Sequence, residues 1–311
     1  TGADAKTAVL TVETLGADAI GVNCGFGPTQ MVPILQEMAR YTKLPLIANP
    51  NAGLPQVING QTIYTVSAEE FASQMKDIVQ AGAVMIGGCC GTSPDYIAAE
   101  ISACQNLPLA GRTVAPVTAV TSYAKTVTFD QIPVLIGERI NPTGKKLFKE
   151  ALRAHDMNYI LNEGITQAEA GAQILDVNVG LPDIDETAML SEAVIGLQSV
   201  TDLPLQLDTS STQALERALR LYNGKPMINS ASGKQESMRS VFPLAKKYGG
   251  VTVCLLLDEN GIPQTAEARV DIAKKMIATA KEYGIEKHNL VFDALAMTVS
   301  TDPKAALTTL K

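Results

Sequence analysis

The chain has 311 residues and a formal net charge of -7 at pH 7, with Lys and Arg scattered along it. It has no basic stripe of the kind that nucleic acid or an anionic membrane requires, so small or anionic metabolites are the expected partners. No apolar run approaches the roughly 20 residues needed to cross a bilayer, and no charged segment followed by an apolar signal core opens the chain, so a cytoplasmic protein is expected.

A short apolar run, a turn rich in Gly, Asn, Asp or Pro, and an amphipathic helix recur along the sequence. This is the signature of βα units around a parallel sheet. The first three strands are expected at 19–24, 44–48 and 83–88, with helices near 29–41, 68–81 and 94–104. Residues 107–131 lose the periodicity, become rich in Thr, Val, Ala and Pro, and read as a linker. A second series opens at Pro133 with PVLIGERINPTG and continues with strands at 172–179, 203–208, 226–230, 251–257 and 289–293. Helices are expected near 147–163, 186–200, 212–222, 235–248 and 266–283, with a further one from 302.

Eight units close a (β/α)8 barrel. Three strands before the linker and six after it predict an α/β fold of two tandem TIM-type barrels, both incomplete: 1–106, a linker at 107–131, and 132–311. An open barrel edge exposes unpaired backbone groups, so the native protein is expected to extend at both ends. The chain also begins at Thr1 rather than at a methionine.

The five cysteines are too few and too unevenly placed for a disulfide framework. Cys104 and Cys254 read as small buried hydrophobes. The other three, Cys24 in DAIGVNC and Cys89 and Cys90 in AVMIGGCC, fall at the C-terminal ends of expected strands, where a parallel barrel collects functional residues. Neighbours on a regular strand point to opposite faces, so Cys89 and Cys90 can share one point only if the backbone leaves extended geometry, which Gly87 and Gly88 would permit. Three thiolates at one mouth suit Zn2+, with a fourth position open for water or a substrate thiol. The alternatives are three unrelated buried cysteines, or redox use, which the absence of a Cys-x-x-Cys disfavours. His155 and His288 lie beyond the linker and read as surface residues.

GVNCGFGP, PNAGLP and GGCCGTSP resemble the last three strand ends of the homocysteine S-methyltransferase barrel, a family that includes betaine-homocysteine methyltransferase. On the matching positions the resemblance implies that Cys24, Cys89 and Cys90 are zinc ligands and that the sulfur of homocysteine takes the fourth place.

Polar residues mark the strand ends of the second series: Glu138 and Asn141 in GERINPTG, Asp176 and Asn178 in DVNVG, Asp208 in LDTSS, Asn229 in NSASG and Asp293 in FDALA. Unpaired buried carboxylates cost several kcal/mol, so this many at one mouth call for a ligand. The set contains no Lys, His or Cys and suits hydrogen bonding better than Schiff-base, metal or nucleophilic chemistry. A pterin offers an amino group and an adjacent ring N–H that an ionised Asp accepts together. Asp208 and Asn229 also stand where helix caps would, which is the competing structural role.

The segment from Pro133 onward resembles the pterin-binding barrel, its methyltetrahydrofolate branch best. That resemblance implies that Glu138, Asn141, Asp208, Asn229 and Asp293 line a pterin pocket, with backbone contacts from Pro142 and Thr143 and with Asp176 and Asn178 as neighbours. It also implies a catalytic Asn contacting N5 of the folate, expected beyond Lys311. The order of the two barrels is similar to the N-terminal half of the cobalamin-dependent methionine synthase family. The implied reaction moves a methyl group from 5-methyltetrahydrofolate, by way of cobalamin on a downstream module in cis, to zinc-bound homocysteine. The alternative is a two-barrel methyltransferase serving a separate corrinoid protein and another thiol acceptor; a non-enzymatic pterin-binding or zinc-storage protein is the third reading.

Overall fold

The computed structural model describes residues 2–130, 132–298 and 305–311. The chain forms two compact units, one of Asp4–Pro116 and one centred on Val117–Lys311.

The first unit runs α1 (Ala5–Thr14), β1 (Ile20–Asn23), α2 (Pro28–Met38), β2 (Leu46–Asn49), β3 (Gln56–Ile58), β4 (Gln61–Ile63), α3 (Ala68–Gln80), β5 (Ala83–Ile86) and α4 (Pro94–Cys104). Its helices start where the sequence supplies caps. Asp4 accepts from Thr7 N at 2.7 Å, Ser67 accepts from Glu70 N at 3.2 Å, and proline opens both α2 and α4. Strands β1, β2 and β5 form a parallel sheet with β2 in the middle. Its core packs Val9, Ile20, Met31, Leu35, Leu46, Phe71, Met75 and Ile78 between helices and sheet. The hairpin of β3 and β4 stands apart as an exposed excursion between β2 and α3. Neither α1 nor this hairpin is legible in the apolar periodicity.

The second unit begins with the hairpin β6 (Ala119–Thr121) and β7 (Thr126–Thr128), inside the stretch expected to be a linker. It continues through β8 (Ile136–Ile140), α5 (Lys146–Arg153), α6 (Met157–Glu169), β9 (Ile174–Val177), α7 (Glu186–Val200), β10 (Leu205–Asp208), α8 (Thr212–Leu221), β11 (Met227–Ser232), α9 (Gln235–Tyr248), β12 (Val251–Leu255), α10 (Ala266–Glu282), β13 (Leu290–Asp293) and α11 (Ala305–Leu310). The helix expected from 302 thus begins outside the described residues. Strands β8 to β13 form one parallel sheet in sequence order. The hairpin's Val120 and Val127 pack with Ile174, Met227 and Val251, residues at the starts of β9, β11 and β12. It therefore covers the end of the sheet opposite the strand C-termini.

One expected helix, 147–163, is two. His155 takes a left-handed conformation at φ 54, and Asp156 then caps α6 by accepting from Tyr159 N at 3.1 Å. A residue in that conformation ends a helix, and the cap starts the next. Among the described residues the sheets have three and six strands against the eight of a closed barrel, so both units are partial barrels of parallel α/β type. No helix among them is long and apolar enough to cross a membrane.

One buried acid stands out in the first unit. Glu100 on α4 is 2 % exposed, and neither carboxylate oxygen has a hydrogen-bond partner among the described residues. Burial lifts its pKa to about 7. Between its unfolded value and this raised one, the folded chain holds a proton that the unfolded chain releases, so stability falls as pH rises through that window. Replacing Glu100 by Gln should remove this slope. The unfolding free energy of the first unit, from urea titrations at pH 5 and pH 8, should drop with pH in the unsubstituted chain by up to about 3 kcal/mol more than in Glu100→Gln.

Candidate functional site

Cys24 directly follows β1, and Cys89 and Cys90 follow β5, with β2 between the two strands. The end of β2 and the segment after it supply none of the sulfurs but position all three. Cys24 N donates to Asn49 O at 2.9 Å and Cys89 N to Pro50 O at 2.8 Å. Cys90 N donates to Asn51 Oδ1 at 3.1 Å, and Ala52 N returns a bond to Cys90 O at 2.9 Å. Asn51 is 2 % exposed, so its amide is a fixed part of this scaffold.

The backbone departs from extended geometry at Cys24, with φ 64, and at Gly91, with φ 80. Strand β5 ends at Ile86, so Gly87 and Gly88 already lie outside it, without entering the left-handed region. They are needed for close approach: a Cβ on Gly87 would lie 2.8 Å from Asn49 Oδ1, and one on Gly88 2.5 Å from Thr92 Oγ1. Thr92 in turn closes the turn by donating its hydroxyl to Cys89 O at 2.7 Å.

The three sulfurs converge. Cys24 and Cys90 Sγ are 3.6 Å apart, Cys89 and Cys90 Sγ 3.8 Å, and all three lie within 4.8 Å of one another. A tetrahedral zinc with Zn–S near 2.3 Å sets its sulfurs about 3.8 Å apart, so the donor set and spacing fit that ion. Cys24 and Cys89 are partly exposed and Cys90 is exposed, which leaves the cluster open to solvent. The backbone N–H of Gly25, then the neighbouring thiols, lower the Cys24 pKa, while the thiol of Cys24 and burial raise that of Cys89. Cys104 and Cys254 are buried as expected, and burial pushes the Cys254 thiol up to about 12. His155 is exposed and lies 2.7 Å from Glu192; His288 is half-buried in a 3-10 turn.

In the second unit, parallel pairing places Asp176 opposite Gln206 and Asp208 opposite Asn229. Asp176 is 2 % exposed and accepts a hydrogen bond from Gln206 Nε2. Burial raises its pKa to about 7; hydrogen bonds from Gln206 and Asn229 work against that, and the charges of Asp208 and Glu138 add to it. Asp208 accepts from Asn178 Nδ2 at 2.9 Å through Oδ2, while its Oδ1 has no partner among the described residues. Burial raises Asp208 too, the Asn178 bond opposes, and Glu138 and Glu186 add their repulsion. Asn178 Oδ1 meanwhile accepts from Gly180 N at 2.9 Å, so this side chain both shapes its loop and holds Asp208.

Glu138, Asp176, Asn178, Asp208 and Asn229 thus form one interacting group. Contacts among the described residues do not join the other expected pocket residues to it. Asn141 accepts from Thr143 N at 2.9 Å and shapes the turn after β8, Pro142 is buried there, and its carbonyl accepts from Lys145 N at 3.2 Å. Asp293 is exposed on the opposite edge strand and accepts from Leu295 N at 2.7 Å. The helix-cap alternative does not hold for Asp208 or Asn229: Ser211 caps α8 and Lys234 occupies the N-cap of α9.

Several participants escape the sequence reading. Gln206 is visible in hindsight as the polar residue two before Asp208 in LQLD, hence on the same strand face. Glu186, the first residue of α7, accepts from the Thr209 hydroxyl and adds charge beside Asp208. Tyr64, after the exposed hairpin, packs where a Cβ on Gly91 would lie 2.4 Å from its ring, and the Cys90 thiol raises its pKa. No local signal points to it.

A model described as pterin binding enzyme matches residues 137–311, more than half of the chain, and the chain belongs to that family. A second model, homocysteine S-methyltransferase, matches residues 1–104. Two curated relatives carry the name methionine synthase. That of Mycobacterium leprae (strain TN) is 31 % identical over 314 residues, and that of Mycobacterium tuberculosis (strain ATCC 25618 / H37Rv) 31 % identical over 309. Each alignment takes in 96 % of this chain, but the chain spans only 26 % of either relative. Among solved structures, a dihydropteroate synthase of Xanthomonas albilineans aligns with a TM-score of 0.46 and 19 % identity, covering 60 % of this chain and 70 % of that one. The Yersinia pestis dihydropteroate synthase gives 0.46 and 16 %, covering 60 % and 68 %.

The Asp176–Gln206 pair gives a pH-dependent expectation. Gln206→Leu withdraws a donor that counts most when Asp176 is ionised. By denaturant titration it should destabilise the second unit by about 1–3 kcal/mol at pH 8 and by less at pH 5, where Asp176 is protonated. An equal loss at both pH values would contradict the assignment of the donor to the carboxylate.

Proposed function

We propose that the chain is the two-barrel portion of a methyltransferase that moves a methyl group from 5-methyltetrahydrofolate to homocysteine, giving methionine and tetrahydrofolate. The observation that carries this reading is the convergence of three cysteine sulfurs at zinc-like spacing on a segment that matches the homocysteine S-methyltransferase model. Support for the methyl donor comes from the second segment's family and from the relatives named methionine synthase. Residues 1–106 are then the homocysteine part, 107–131 the connector and 132–311 the pterin part.

Cys24, Cys89 and Cys90 hold Zn2+ in this reading, which supplies Lewis acidity that stabilises a substrate thiolate near neutral pH. The chain's own contribution is the rigid arrangement of the three sulfurs. The end of β2 and the segment after it fix their backbones, and the exposed side of Cys90 leaves room for an incoming thiol. Cobalamin, on a module outside these 311 residues or on a separate corrinoid protein, supplies the methyl-carrying chemistry.

At the second mouth, Asp208 presents an oxygen without an internal partner, and Asn178 fixes the other. A pterin's amino group and ring N–H would meet this carboxylate, with Asn229 opposite it on the next strand. Glu138, Asp176 and Asn178 complete the wall; Asn141, Pro142 and Thr143 belong to the loop after β8, and Asp293 to the end of the edge strand β13. Donating to the departing N5 falls, in this reading, to an Asn beyond Lys311.

Two substitutions test the two sites separately. Cys89→Ala should abolish stoichiometric zinc by metal analysis while leaving folate binding intact. Asp208→Ala should retain zinc and weaken 5-methyltetrahydrofolate by roughly 1.4–2.7 kcal/mol, about 10- to 100-fold in Kd by calorimetry. Wild-type behaviour of both variants would overturn the reading.

A further inference from the structure

We infer that Arg269 is a positioning residue for Asp293, an inference that rests on placing Asp293 at the rim of the pterin pocket. Arg269 lies on α10 and is 4 % exposed. Arginine is rarely buried so completely unless its charge is met. Among the described residues its hydrogen bonds all go to neutral oxygens. Nε donates to Pro263 O at 3.0 Å, and Nη1 donates to Ala294 O at 2.6 Å, to Thr309 Oγ1 at 3.0 Å and, at 3.5 Å, to Leu295 O.

Two of those acceptors are the carbonyls immediately after Asp293. The Ala294 carbonyl and the Leu295 N–H are the two ends of one peptide unit. Its oxygen takes the hydrogen bond from Arg269, and its N–H donates to Asp293 Oδ1 at 2.7 Å. A planar trans peptide points these groups in opposite directions, so fixing the carbonyl fixes where the N–H aims. The guanidinium also polarises the unit, which strengthens the bond to the carboxylate.

Leu295 holds φ 57, a left-handed conformation that a branched, non-glycine residue rarely takes. The short bond from Arg269 to the Ala294 carbonyl, immediately before it, holds the turn in that shape. Asp293 Oδ2 keeps no partner among the described residues, so the relay leaves one carboxylate oxygen presented in a fixed direction. Arg269 therefore acts on ligand binding through Asp293 and without touching the ligand.

The test is a double-mutant cycle on the whole chain, read as 5-methyltetrahydrofolate affinity, with zinc content and amide exchange at Leu295 measured alongside. Arg269→Ala should weaken the folate about tenfold or more, and Arg269→Lys by less. The Arg269→Ala/Asp293→Ala pair should bind no worse than Asp293→Ala alone, because Arg269 acts only through that carboxylate. Zinc content should stay unchanged, and the Leu295 amide should exchange faster in both Arg269 variants. Folate affinity within about twofold of wild type in Arg269→Ala, or losses that simply add in the double variant, would overturn the inference. If Arg269→Ala does not fold, Arg269→Lys takes its place in the same cycle, with the same two outcomes deciding. Asp208→Ala separates the levels. Weakened binding in Asp208→Ala beside unchanged binding in Asp293→Ala defeats this inference alone, while unchanged binding in both defeats the pterin reading and this inference with it.

Discussion

Parallel strand pairing is the constraint on which both sites depend. When every strand runs the same way, every loop that follows a strand leaves from the same end, whatever the distance in sequence. That is how Cys24 reaches Cys90, and how Asp208 comes opposite Asn229. Among the described residues, antiparallel pairing is confined to the two hairpins and an isolated bridge between Asp258 and Gly261, all outside the main sheets. The register matters as much as the direction: a slip by one residue between β9 and β10 would turn Asp176 and Gln206 to opposite faces of the sheet.

Polar groups inside such a sheet are costly, and the chain handles them in two different ways. Asp176 and Asp208 are each given a side-chain amide from a neighbouring strand or loop, which offsets part of the burial without neutralising the acid. Glu100 receives nothing. The contrast separates the two environments: the partly satisfied carboxylates at strand ends keep acceptor capacity beside their amide partners, whereas an unpartnered buried acid on α4 is a local strain on stability.

The sequence made the βα alternation legible because buried parallel strands are nearly continuous apolar runs broken by glycine and asparagine turns. The elements it concealed are those whose stability is not periodic. Strands β3 and β4 are three residues each and wholly exposed, and β6 and β7 are buried by tertiary contact inside a stretch of Thr, Val and Pro. The split between α5 and α6 hides in an unbroken apolar period and rests on His155 and Asp156 alone. At the sites, residue types and strand-end positions were readable; partners were not. Nothing in PNAGLP announces that its backbone and the Asn51 amide hold both cysteine segments, because that role lives in main-chain hydrogen bonds. Gln206 was within reach, since LQLD alternates where a buried strand should not. The clearance that Gly87 and Gly88 give to Asn49 and Thr92 was not readable, because it depends on side chains distant or folded back in space.

The spacing of the sulfurs along the chain has a topological consequence. Cys24 and Cys90 are 66 positions apart, with two strands of the parallel sheet, two helices and an exposed hairpin between them. Whatever joins their sulfurs closes that whole segment into a ring. By the logarithmic scaling of loop entropy, a cross-link over such a span restricts the unfolded chain by an amount on the order of 4 kcal/mol. An ion seated there is therefore also a clasp on the partial barrel, binding together its first and last strands across the one that lies between.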